Sequence, residues 1–214
     1  MIQGANEWIQ DIHRNAVDHG WWEQDRPLTE VLALIHSEWS EALEEDRAGR
    51  PMVWYDAVTE DDDCGGGGAC NAEIEFGICK GKNGKCRKHH KPEGIAVELI
   101  DGCIRIMDWF GKTGFAVTMG SIENLGKKGI QEFWHLTISS VPTLVSHLHF
   151  FTAHPLTIGA LNQNDLYKGS AMYLEKVLEI VFGWLMKRGL DPEAILDEKH
   201  RYNVTRPYKH GKQY

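Results

Sequence analysis

The chain has 214 residues, of which 42% are hydrophobic and 25% charged, a composition typical of a globular protein and not of a disordered one. Its formal net charge of −8 disfavours polymeric nucleic acid as a partner, because that polyanion usually requires a basic surface. We find no run of about 18 apolar residues that could span a bilayer. The first residues lack the apolar segment of a signal peptide, so we predict a cytoplasmic protein with no membrane partner.

Helical periodicity dominates the first quarter of the chain. The pattern predicts one helix over residues 5–19, ended by Gly20, and a second from Leu28 to Leu43 that stops before the Ala-Gly-Arg-Pro stretch at 48–51. Residues 51–92 are rich in glycine and cysteine and keep no sustained period. We therefore predict an irregular insertion there.

The remainder of the chain is also predicted to be helical. Four further helices are expected, with these bounds: Pro92 to about Phe110, residues 131–153 with a kink or boundary at Pro142, Asp165 to Arg188, and a short helix after the cap residue Asp191. The sequence therefore predicts an all-α helical bundle, organised as a single domain over residues 1–214 that contains the insertion at 51–92.

Two of these helices carry pairs of carboxylates beside their apolar faces. Glu38 and Glu41 follow the flank of the second helix, and Glu98 and Asp101 lie on the narrow strip that the apolar arc of the third helix leaves. Residues three apart share one helix face, and hard oxygen ligands suit Mg²⁺ or Mn²⁺. Four carboxylates brought together repel each other, so the pattern indicates a bound cation. Two solvated helix surfaces are the alternative.

The insertion contains a cluster of four cysteines. They are separated by five, eight and six residues: Cys64, Cys70, Cys79 and Cys86. Four cysteines in a segment with no core of its own favour a structural Zn²⁺ site, although no C-x-x-C pair is present. Reduced cysteines in a loop are the alternative, and disulfides are disfavoured by the predicted cytosolic location.

Taken together, these segments resemble the MazG-like all-α nucleoside triphosphate pyrophosphohydrolases. That family has an E-x-x-E pair, a later E-x-x-D pair and a C-terminal K-x-x-x-N-x-x-R. The matching residues of this chain, in order, are Glu38, Glu41, Glu98, Asp101, Lys199, Asn203 and Arg206. The resemblance extends over residues 5–50, 91–112 and 165–211, and the ordered set is far more specific than any one of its motifs.

The resemblance implies an enzyme that cleaves an NTP or dNTP between the α- and β-phosphates, giving the monophosphate and pyrophosphate. The four acids would be its catalytic residues, holding Mg²⁺ or Mn²⁺ ions that activate water and neutralise phosphate charge. Lys199, Asn203 and Arg206 would bind phosphate oxygens, and Asn15 and Trp22 are candidates for contacts with the base.

The family also implies a homo-oligomer, either a dimer or a tetramer. One alternative function fits the same residues. It is a non-catalytic module on the same fold that binds a nucleotide or a protein and contacts its partner through the cysteine-rich insertion.

Overall fold

The computed structural model describes residues 4–55, 91–133, 138–157 and 163–211, together with the backbone of two short strands within the insertion. In these ranges the chain forms mostly helix, which confirms the predicted all-α class. The helices are α1 (Ala5–Asp18), α2 (Leu28–Arg47), α3 (Ile95–Thr113), α4 (Ile122–Phe133), α5 (Val141–Ala153), α6 (Gln163–Lys187) and α7 (Pro192–Val204). Two 3₁₀ turns cover His154–Thr157 and Tyr208–Gly211.

Short antiparallel strands pair within the insertion and at its ends. Strand β1 (Trp54–Tyr55) pairs with β4 (Pro92–Glu93), and β2 (Ile74–Glu75) pairs with β3 (Ile78–Cys79). The prediction that the third helix begins at Pro92 is wrong, because Pro92 belongs to β4. Gly94 follows with a φ of 110°, a backbone conformation that other residues rarely adopt, and α3 begins only after it.

The predicted helix over 131–153 is corrected to two helices. Pro142 is predicted to mark a kink or a helix boundary, and the structure shows a boundary. It lies in the first turn of α5, where its missing amide hydrogen costs no helical hydrogen bond. The Ser140 side chain caps that helix by accepting a hydrogen bond from the Thr143 amide. Helix α4 was not predicted, because it contains two glycines, Gly126 and Gly129, which are poor helix formers.

The other predicted helices are confirmed to within a few residues. Asp191 caps α7 as expected, with its carboxylate accepting hydrogen bonds from the amides of Glu193 and Ala194. Helix α2 packs along α3, and α4 packs along α6. Helices α1 and α7 both contact α3, and α5 contacts α2 and α6. None of the helices in the described ranges has the length and apolar character needed to cross a bilayer.

A glycine sets the spacing between α2 and α3. The fully buried Trp39 ring of α2 lies against Gly102 of α3, where an added Cβ would come within 2.2 Å of the ring. The indole nitrogen of Trp39 donates a hydrogen bond to Thr152 Oγ1 at 3.0 Å, which fixes the ring from the α5 side. Because Gly102 has no side chain, the two helices approach closely at the residues that directly follow the predicted acidic residues Glu38 and Asp101.

Candidate functional site

Helices α2 and α3 bring three of the four predicted metal ligands together. One carboxylate oxygen from each of Glu38, Glu98 and Asp101 lies within 4.8 Å of the others. Glu38 is only 5% exposed and Glu98 only 6%, so the group is largely withdrawn from water. Three converging carboxylates form a hard oxygen donor set, which suits a divalent cation such as Mg²⁺ or Mn²⁺.

Glu41 lies outside this group of three. It is exposed, and its Oε1 accepts a hydrogen bond from Ser37 Oγ at 2.9 Å. It is nevertheless near enough that its negative charge contributes to raising the pKa of Glu38. Glu41 therefore lies near the acid group without belonging to it.

The buried acids hold protons unusually tightly. Burial raises the pKa of Glu98 to about 9, an effect that the Asp101 charge increases and the Lys199 charge opposes. Burial also raises the pKa of Glu38, against the lowering effect of Arg105. The nearby positive charges of Arg105 and Lys199 thus offset the effect of burial only in part.

Two basic side chains pair with the acids. Arg105 Nε donates to Glu38 Oε1 at 2.6 Å, from the next turn of α3 after Asp101. Lys199 of α7 lies 2.8 Å from Asp101 Oδ2 and 3.5 Å from the Pro92 carbonyl oxygen. Lys199 is 2% exposed, so the residue predicted to bind phosphate is placed inside the protein, against a predicted metal ligand.

A cavity of about 140 Å³ adjoins the acid group, and Asp101 belongs to both. Its walls come from α1, the following loop, α2, α3 and α7. Its polar lining residues include Asn15, Asp101, Arg105, Asp108, Asn203 and Arg206. Three residues predicted from the sequence to contact a nucleotide, Asn15, Asn203 and Arg206, therefore line one cavity beside the acids.

Trp22, the other residue predicted to contact a base, has a different position. Its indole nitrogen donates a hydrogen bond to Asp108 Oδ1 at 2.8 Å, and the neighbouring Trp21 lines the cavity. Helical periodicity does not extend into this loop, so the sequence offers no signal for which tryptophan faces inward.

Asn203 has an unsatisfied acceptor at the cavity wall. Its Oδ1 is buried and has no hydrogen-bond partner within the part of the chain that the structure describes. Buried acceptors are nearly always paired, so this oxygen calls for a donor from a water molecule or a ligand. The polar lining is thus incomplete without a bound group.

Arg105 and Asp108 are the site residues that the predicted ligand set omits. Both stand on the strip of α3 that carries Glu98 and Asp101, at spacings of three and four residues. That spacing places all four on one face of the helix, a grouping that the sequence itself shows.

The predicted zinc ligands fall mainly outside the described residues. Cys64, Cys70 and Cys86 are not described, and only the backbone of Cys79, in β3, is. The zinc site therefore stays a prediction.

Comparison of the chain with family models, curated proteins and solved structures found no match. The described ranges define a mostly helical protein with a buried acid group beside a polar cavity. The resemblance to the MazG-like enzymes accordingly rests on the ordered motif residues alone.

Proposed function

We propose that the protein is a divalent-metal-dependent nucleoside triphosphate pyrophosphohydrolase, which cleaves (d)NTP between the α- and β-phosphates to yield (d)NMP and pyrophosphate. One observation carries this proposal. Three carboxylates from two helices lie within 4.8 Å of one another, and one of them, Asp101, also lines a cavity with Asn203 and Arg206.

The donor set fits the cation that this reaction requires. Glu38, Glu98 and Asp101 would hold it, and Glu41 lies nearby. When bound, Mg²⁺ or Mn²⁺ neutralises phosphate charge and lowers the pKa of a coordinated water.

The basic side chains have separate tasks in this proposal. The Arg206 guanidinium, at the cavity wall, offers paired donors that match two phosphate oxygens. Lys199 is a positioning residue, because its buried ammonium pairs with Asp101 and is almost inaccessible to a phosphate. Arg105 orients Glu38 in the same way.

One alternative has an observation in its favour. The ion pairs of Arg105 with Glu38 and of Lys199 with Asp101 give two of the acids cationic partners without any metal. A module that binds a nucleotide without cleaving it would be compatible with that arrangement.

The test is a panel of the common NTPs and dNTPs with Mg²⁺, in which monophosphate and pyrophosphate are measured separately. We expect equal amounts of both from at least one nucleotide. Glu38→Gln should lower the turnover on the order of 100-fold or more, because it removes a ligand. Glu44→Gln is the matched control, since Glu44 is an exposed residue of the same helix.

Each other outcome corrects the proposal. Release of orthophosphate would show that a different bond is cleaved. Absence of turnover in folded protein across the whole panel would overturn the enzyme and favour the binding module. Thermal melting of Glu38→Gln must accompany the assay, because the variant leaves the Arg105 charge without its partner.

We also propose a homo-oligomer. Several large apolar side chains are exposed on and beside α5 and α6, namely Phe150, Leu156 and Met172. Apolar surface of this kind favours association. Sedimentation should show a dimer or tetramer that Met172→Lys weakens, and a monomer in the unaltered chain would contradict the proposal.

A further inference from the structure

The cavity runs along one face of α3. Asp101, Arg105 and Asp108 occupy successive turns of that face, and all three line the cavity. At 1.5 Å per residue, Asp101 and Asp108 are separated by about 10 Å along the helix axis. A nucleotide covers a similar distance between its α-phosphate and the far edge of its base. With the phosphates at Asp101, the base edge would reach Asp108.

Asp108 is held in place by two donors on a single oxygen. His13 Nδ1 lies 2.7 Å from Asp108 Oδ1, and Trp22 Nε1 donates to the same oxygen at 2.8 Å. These two hydrogen bonds occupy both lone pairs of Oδ1. Among the described residues, none donates a hydrogen bond to Oδ2. Asp108 therefore presents one fixed acceptor oxygen at the cavity wall.

The electrostatics of Asp108 favour an additional donor. Burial raises the pKa of its carboxyl group, although the hydrogen bonds from His13 and Trp22 oppose the rise. A further N–H group on Oδ2 would stabilise the ionised form, as it does for any buried carboxylate.

The surrounding walls suit a flat heterocycle. Ile12, Ala16 and Ile104 contribute apolar surface, and Trp21 is an aromatic wall residue with the Arg26 guanidinium 5.1 Å from its ring centroid. The cavity, of about 140 Å³, has room for a base. Apolar walls with a few fixed polar groups are typical of small-molecule sites.

We propose that Asp108 selects the base, so that nucleotides with an exocyclic amino group on the base, those of guanine, adenine or cytosine, are preferred to analogues with an oxo group or hydrogen in its place. This inference rests on the proposed function, because it puts the base of the same substrate in the cavity. An amino N–H is bound by Asp108 Oδ2, whereas an oxo group faces it as a second acceptor. A site built to bind an N–H group rejects an analogue that lacks it.

The test compares nucleotides with and without the exocyclic amino group; in the oxo analogues of cytosine and adenine the neighbouring ring nitrogen also carries a hydrogen. The pairs are dCTP with dUTP, dATP with dITP, and dGTP with dITP. We expect the amino member of at least one pair to have a kcat/KM about 10-fold to 100-fold higher, because its partner leaves a buried acceptor unpaired.

Asp108→Asn should invert this preference. The amide oxygen takes over the hydrogen bonds from His13 and Trp22, which turns the NH₂ group toward the cavity as a donor. Asp108→Ser, whose hydroxyl both donates and accepts, should abolish the preference without inverting it, and it serves if the first variant does not fold. Asp25→Asn is the matched control, on the exposed loop before α2.

The possible failures are distinguishable. In one case the unaltered protein releases pyrophosphate but shows no preference in any pair, or shows a preference that both variants retain. Either result overturns the role of Asp108 and leaves the proposed function standing. Absence of pyrophosphate from every nucleotide overturns the proposed function. Binding is then followed by tryptophan fluorescence with cytidine and uridine, adenosine and inosine, and guanosine and inosine. Equal affinities within every pair overturn the inference as well, whereas an amino preference lost in Asp108→Asn sustains it.

Discussion

Replacing Glu98 by glutamine should make the metal-free protein more stable at alkaline pH, although the residue belongs to the proposed metal site. The pKa of Glu98 is about 9 in the folded protein, against an ordinary value of 4.5. Between these values the folded protein holds a proton that the unfolded chain has already released. The free energy of unfolding therefore falls as the pH rises, by up to ~1.4 kcal/mol per pH unit.

Glutamine has the shape of the protonated acid and does not titrate, so the variant lacks this pH-dependent change in the free energy of unfolding. From pH 5 to pH 8 the unaltered protein should lose up to about 4 kcal/mol relative to Glu98→Gln. The pKa of Glu38 is also raised and adds a slope of the same sign to both proteins. The prediction consequently concerns the difference between the two.

Urea denaturation in EDTA, repeated at each pH unit from 5 to 8, measures this difference. Glu44→Gln, an exposed change on α2, should follow the unaltered protein throughout. Addition of Mg²⁺ or Mn²⁺ should flatten the curve of the unaltered protein, because the cation replaces the proton, and should have less effect on Glu98→Gln. Parallel curves for the two proteins in EDTA would refute the reasoning.

Two further predictions concern the support of the site. Gly102→Ala should destabilise the protein by about 1–3 kcal/mol in urea denaturation and weaken Mn²⁺ binding in calorimetry, because the new methyl group meets Trp39. Gly120→Ala is the control and should change neither stability nor Mn²⁺ binding, because nothing lies within 4 Å of its new Cβ. Equal effects of the two variants would contradict the packing argument. Lys199→Met should lower the free energy of unfolding, measured by urea denaturation in EDTA, by about 3 kcal/mol, because Asp101 loses its cationic partner. Unchanged stability would show that this ion pair is dispensable.

Much of the secondary structure could be predicted because it depends on local pattern. The apolar period that defines α2 and α3 also identifies the faces on which Glu38 and Glu98 lie. Helix α4 was missed because Gly126 and Gly129, which lie within it, are poor helix formers. The pairing of β1 with β4 joins residues at opposite ends of the insertion, and local pattern contains no information about such distant partners.

The same limit applies to the site, because the sequence indicates which helix face carries a residue but not which distant residue contacts it. The spacing along α3 places Asp101 and Asp108 on one side of the helix, and the motifs single out Asp101. The sequence does not show that His13, 95 residues away, fixes Asp108, or that Lys199 is buried against Asp101. These contacts depend on how α1 and α7 pack on α3, which is a property of the whole fold.

The charges around the acid group explain why the same residues suit both a stable metal-free protein and a site for a polyanion. The three carboxylates of the group face two cations, Arg105 and Lys199, so one negative charge is left over. The raised pKa of Glu98 lets a proton balance that charge while no metal is bound. Exchange of this proton for a divalent cation gives these groups a net charge of about +1. The change attracts a triphosphate only after the metal has arrived. Glu98→Gln keeps two of the three carboxylates and should bind the cation more weakly. At a Mg²⁺ concentration that saturates only the unaltered protein, we therefore expect triphosphate affinity to depend on metal more strongly in the unaltered protein than in Glu98→Gln. Calorimetric titrations with and without Mg²⁺ measure both affinities, and an equal metal dependence in the two proteins would show that Glu98 is not a ligand of the cation.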